Sequence, residues 1–133
     1  MKVLKYLGLA FVFLWFFVGG ISHFRNPEFF LAIMPPYIPF HAAAVYVSGA
    51  FEIIGAIALW PPRTRSAAGW GLIVLTVLVT PANVHMWLHP ELFPDVSPAF
   101  LSGRLVVQVL LLALIWWAAA RSTDAGEQRP ATT

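Results

Sequence analysis

The chain contains no cysteine. That excludes disulfides, thiol chemistry, iron–sulfur ligation and every zinc site built on thiolates. Charge is also scarce: Asp, Glu, Lys and Arg make up 11% of the 133 residues, against roughly 25% in a soluble domain. There is no Gly-rich phosphate loop, no dinucleotide fingerprint, no Ser-His-Asp ordering and no spaced pair of acids. Nothing in the chain specifies a reaction. The net charge of +2 comes from dispersed basic residues, so a nucleic-acid partner is excluded.

What is present is apolar. Hydrophobic residues make up 59% of the sequence and mean hydropathy is +0.77. A chain so composed cannot cover its apolar surface with water-facing groups, so the bilayer is its expected partner. The hydropathy pattern predicts an all-α fold: a four-transmembrane-helix bundle with spans at about 3–21, 42–60, 66–88 and 99–120. Residues 1–121 form one domain, and the polar stretch 122–133 reads as a disordered tail. The first run is too long for a signal-peptide core and lacks a clear cleavage pattern.

The connections carry helix signals of their own. Asn26-Pro27-Glu28 combines a capping side chain, a first-position proline and a first-turn acid. Phe29, Phe30, Ile33, Met34 and Tyr37 follow at helical spacing until Pro35, Pro36 and Pro39 stop them. The expectation is a short interfacial helix between spans one and two. Pro61-Pro62-Arg63-Thr64-Arg65 reads as a tight basic turn, Ser97-Pro98 as a cap and first position, and Pro81 as a kink in span three. Lys2, Lys5, Arg63, Arg65, Arg121 and Arg129 fall at one end of the bundle, and only Arg25 and Arg104 at the other. The positive-inside rule then puts both termini in the cytoplasm.

The organising residue is Glu52, alone in the middle of AAAVYVSGAFEIIGAIALW. A carboxylate at that depth is costly and must face protein. Each span offers a stripe of small or polar residues to surround it: Gly8, Trp15, Gly19 and His23; Ala44, Ser48, Glu52 and Ala56; Thr76, Thr80 and Asn83; Arg104 and Gln108. At 1.5 Å per residue Asn83 lies about 7 Å, and Gln108 about 13 Å, below the outer ends of their spans. The expected site is an outer-half pocket around Glu52, Arg104, His23, Asn83, Gln108 and Tyr46. Arg104 is the anionic-head or carbonyl anchor, or else an ion-pair partner of Glu52. His23 by itself reads first as an interfacial cap. His85 and His89 have metal-site spacing, but no third ligand completes a set, so no metal is expected.

Several patches taken together resemble one family. Gly20-Ile21-Ser22-His23-Phe24 is similar to the G-x-x-H-F patch that closes the first helix of DoxX-like membrane proteins. Pro27 with Ile33-Met34-Pro35-Pro36 and Pro39, Tyr46 to Glu52, and Pro81-Ala82-Asn83-Val84-His85-Met86 are similar to its later patches, in order. The resemblance spans roughly residues 3 to 117. It implies a bacterial inner-membrane four-helix bundle, with a quinone-like or other lipidic molecule as ligand. It also implies a membrane oxidoreductase as partner, and it leaves a homo-oligomer open. Three functions stay open: an accessory or binding subunit, a structural or chaperone-like partner, and a membrane isomerase or oxidoreductase using Glu52 for proton transfer. The missing cysteine counts against a thiol-redox role.

Overall fold

The computed structural model describes residues 2–121. The 122–133 tail lies outside the described residues. Five helices follow one another: α1 (Lys2–Arg25), α2 (Pro27–Ala32), α3 (His41–Ala58), α4 (Pro62–Leu88) and α5 (Pro98–Ile115). A 3-10 turn, Pro90–Leu92, precedes α5, and one π-helical turn, Trp116–Ala120, continues it. No strand occurs among the described residues. The fold is an all-α four-helix bundle with a short helix between the first two long ones. The four long helices are long and apolar enough to cross a membrane, and their outward faces are apolar, with Leu7, Ile54, Leu78 and Leu110 all exposed. In water such faces would be an aggregation surface; in lipid they are the solvent contact.

The ends of the helices are set by proline and by side-chain caps more than by hydropathy. α1 runs past the expected boundary at 21 through His23 to Arg25, because nothing breaks it before Pro27, where the α2 helix starts. α4 begins at Pro62, so the expected 61–65 turn is mostly helix and the true turn is Leu59 to Pro61. Proline fits there because the first helical N–H groups have no partner to lose. The helix continues through Pro81. Of the two predicted caps one forms: Ser97 Oγ accepts from Phe100 N–H at 3.2 Å. Asn26 stands at the head of α2, but its side chain makes no capping bond. Ser97→Ala should therefore cost about 1 kcal/mol of stability and Asn26→Ala almost nothing, read from unfolding midpoints in detergent.

α1 packs mainly on α3, and α4 on α5. The close approach of α1 to α3 rests on Gly20 and Gly49: a Cβ at Gly20 would lie 2.8 Å from the Gly49 carbonyl oxygen, and one at Gly49 would lie 2.6 Å from His23 Cβ. The two pairs converge at the end that carries both termini. There Leu9, Val12, Phe16, Ala56, Leu59, Leu72, Ile115 and Ala118 form the main core. Gly69 lets the π turn sit directly on α4, and Ser66 Oγ donates to Ala120 O at 2.7 Å. Toward the other end the main core stops. A second, smaller core of Ile33, Ala82, Met86 and Leu101 ties the segment after α2 to α4 and α5. Between the two cores the pairs stand apart.

Candidate functional site

The space between the cores is a cleft of about 1200 Å³, lined by all five helices and overwhelmingly apolar. Phe16 and Leu111 floor it, while Phe29, Phe30, Ile33 and Met34 roof it. Exposed side chains of the long helices, among them Leu14, Phe51, Leu78 and Phe100, also line it, so it opens sideways toward the surroundings of the bundle. In a bilayer that opening faces lipid.

Two polar groups meet in this cleft. The first joins α1 to α3. His23 is buried, and its Nδ1 lies 2.9 Å from Val45 O. A carbonyl oxygen can only accept, so Nδ1 carries the proton and donates it. The Nε2 is thereby turned to Glu52 Oε2, 3.5 Å away. Glu52 packs against Gly19 and Gly20, five or six residues before the end of α1, so it sits roughly 8 Å from that end. Counted along α3 from His41 the depth is roughly double. Glu52 Oε2 and Ser48 Oγ are buried and neither makes a hydrogen bond within the protein, and both residues line the cleft.

The second group joins α4 to α5 as a chain of hydrogen bonds. Arg104 Nη2 donates to Asn83 Oδ1 at 3.0 Å and Nη1 to Met86 Sδ at 2.9 Å. Asn83 Nδ2 donates to Gln108 Oε1, and Gln108 Nε2 to Thr80 Oγ1, each at 2.6 Å. Thr80 Oγ1 donates back to Thr76 O at 2.9 Å. The chain uses the amide of each partner on both sides, which fixes the side chains without a carboxylate. Phe29 of the roof lies against the Arg104 guanidinium at 5.8 Å, and Phe30 against the His23 ring at 3.8 Å. The roof thus touches both polar groups.

The structure brings five of the six expected site residues to one cleft: Glu52, Arg104, His23, Asn83 and Gln108. Tyr46 is the exception. It is exposed and stacks on Phe24, with ring centroids 5.6 Å apart. Six residues before Glu52 on a helix means a rotation of about 240°, so it points off the cleft face. The alternative of a Glu52–Arg104 clamp also changes: Glu52 faces His23, and Arg104 is held by Asn83 and Met86. The sequence puts Ser48 on the inward stripe one turn before Glu52, but neither Ser48 nor Met86 is among the expected site residues. His85 and His89 stack on each other, and no group of three metal-ligating side chains occurs among the described residues.

A family model described as a domain of unknown function, DUF8561, matches residues 12–120. The chain belongs to this family. No curated protein and no solved structure matches it. The match covers most of α1, all of α2 to α5 and the π turn, so Glu52, His23, Ser48, Asn83, Arg104 and Gln108 all lie inside the DUF8561 domain.

Proposed function

We propose that this DUF8561 protein is a small binding subunit that holds a lipidic molecule in the cleft, with Glu52 and Arg104 fixing its polar head. The observation that carries the reading is the pair of unbonded buried oxygens, Ser48 Oγ and Glu52 Oε2, facing a large apolar space. Buried polar atoms are normally satisfied, and each one that is not costs about 1–3 kcal/mol. A ligand head that bonds them would recover that. Apolar walls with a few convergent polar groups are the usual form of a small-molecule site. The sideways opening suits a ligand that arrives from lipid. A quinone-like head, with carbonyl oxygens for Arg104 and for the Ser48 hydroxyl, belongs to this class.

The resemblance to DoxX-like proteins is part of the same proposal: its patches carry His23, Glu52 and Asn83, three of the residues that meet here. We place the protein in a bacterial inner membrane with both termini cytoplasmic, since Lys2, Lys5, Arg63 and Arg121 share one end of the bundle. Its partner would be a membrane oxidoreductase. The test is co-purification of lipid or quinone from gently solubilised protein, read by native mass spectrometry. Glu52→Gln should lower bound ligand several-fold. Unchanged ligand content in both Glu52→Gln and Arg104→Ala would end the proposal.

One observation favours a second reading, a membrane isomerase or oxidoreductase working by proton transfer. The sequence offers no second catalytic group beside Glu52, but the fold brings His23 Nε2 to 3.5 Å from it. An imidazole beside a carboxyl is a proton-relay geometry. Turnover of any substrate that survives in both His23→Gln and Glu52→Gln would exclude it.

A further inference from the structure

We infer that the cleft is built for an amphiphile whose head is an oxyanion, a carboxylate or a phosphate, seated on Arg104. This rests on the lipid-holding reading above and narrows it to a ligand class.

Two acid–base systems line the cleft: the His23–Glu52 pair and Arg104. Because His23 Nδ1 donates to Val45 O, His23 Nε2 is turned to Glu52 Oε2 at 3.5 Å, so the acid of the cleft faces α1 and not Arg104. Arg104 is a cation held by neutral groups. Its guanidinium is part-buried, and its hydrogen-bond acceptors are a neutral amide oxygen and a neutral thioether. The acids of the connections, Glu28, Glu91 and Asp95, are exposed, and none of them lines the cleft. Among the described residues, no carboxylate therefore bonds Arg104.

A charge inside a membrane domain is otherwise paired, or reaches out to water. Arg104 does neither fully. Asn83 and Met86 hold it under the Phe29 ring, inside the cleft. Two of its five N–H groups are bonded to these partners, and the planar fork matches two oxygens of one head group. Across the cleft, Ser48 Oγ is free to donate to the same head or to its ester or hydroxyl oxygens. The volume of about 1200 Å³ exceeds the upper end of ordinary small-ligand sites, roughly 1000 Å³. It is walled by Phe16, Phe51, Leu78 and Leu111, so it suits an acyl or prenyl chain and not a free anion.

The experiment compares matched probes on full-length protein in detergent: oleate against oleyl alcohol, and a phosphatidate against the corresponding diacylglycerol. The result expected is that one charged member binds more tightly than its neutral twin. The factor is on the order of ten- to a hundredfold, the worth of a charge-assisted hydrogen bond. The pair that shows the preference identifies the head as carboxylate or phosphate. Arg104→Gln should abolish the preference without abolishing binding of the neutral twin, and Arg104→Lys should retain part of it. Should Arg104→Gln fail to fold, Arg104→Lys still decides: a preference unchanged in Arg104→Lys means that the planar fork does not seat the head. Equal binding of charged and neutral twins overturns the anionic assignment and leaves the lipid-holding reading intact. Binding of none of the four probes overturns both.

Discussion

Replacing Arg65 by Met should lower the unfolding free energy by about 2–4 kcal/mol, whereas Arg63→Met should change it by less than about 0.5 kcal/mol. By sequence the two residues are equivalent: both are basic, both flank the same proline pair, and both count equally toward orientation. In the fold they are not. Arg63 is exposed on the first turn of α4. Arg65 is buried, and its Nε donates to Leu59 O at 2.9 Å while Nη2 donates to Trp60 O at 2.8 Å. Those carbonyls belong to the end of α3, where the helix itself supplies no donors. Thr64 Oγ1 adds a bond to Ala58 O at 2.7 Å. The first turn of α4 therefore caps the last turn of α3, and the Tyr6 ring covers the Arg65 guanidinium at 5.5 Å. Met fills a similar volume, so the loss measures the hydrogen bonds and the charge at the helix terminus rather than packing. Urea or thermal unfolding of both variants in the same detergent checks it; equal midpoints would show that Arg65 is an orientation signal and nothing more.

The second large effect is expected at Gly20. Gly20→Ala should cost about 1–3 kcal/mol, and a larger side chain more. The added Cβ would lie 2.7 Å from Ile53 Cγ1 and 2.8 Å from Gly49 O. Ile53 can turn aside, but Gly49 O is backbone, so α1 and α3 must separate. That separation occurs at the level of Glu52, whose Cβ is 3.1 Å from the same point. The His23–Glu52 approach should lengthen with it, and ligand content should fall although no ligand-facing atom has changed. Gly71→Ala is the control: its Cβ would meet nothing within 4 Å, and alanine is the better helix former, so stability should hold or rise by up to about 1 kcal/mol. If Gly20→Ala behaves like Gly71→Ala, the two helices do not touch at this point.

These two cases also show which parts of the fold the sequence carries openly. The four spans are legible because each is a long apolar run, and a chain in lipid must close its backbone bonds within helices. The α4–α5 polar chain is legible too, since Thr76, Thr80 and Asn83 recur at three- and four-residue spacing, as do Arg104 and Gln108. Their partners are simply the stripes on the neighbouring helix. The pairing of His23 with Glu52 is not legible in that way. It depends on the register between α1 and α3, which the Gly20–Gly49 contact sets by steric fit. Glu52 counted along its own helix looks central, but it belongs to the last turns of α1. Helical rotation takes Tyr46 out of the cleft although it shares a helix with Glu52. Arg65 was read as an orientation marker because the positive-inside rule counts charges without asking what each one bonds. The roof of the cleft was seen only as an interfacial helix; its contacts with Arg104 and His23 needed the chain to fold back across the bundle.

The central claim is that Glu52 is turned inward onto His23 and away from hydrocarbon. The most direct measurement is solid-state NMR on the protein in bilayers, recoupling the His23 side-chain nitrogens to the Glu52 carboxyl carbon. A strong transfer from Nε2, at the distance scale of the 3.5 Å nitrogen–oxygen approach, is the predicted result. No transfer, together with magnetisation reaching the Glu52 carboxyl from lipid acyl chains, would contradict it.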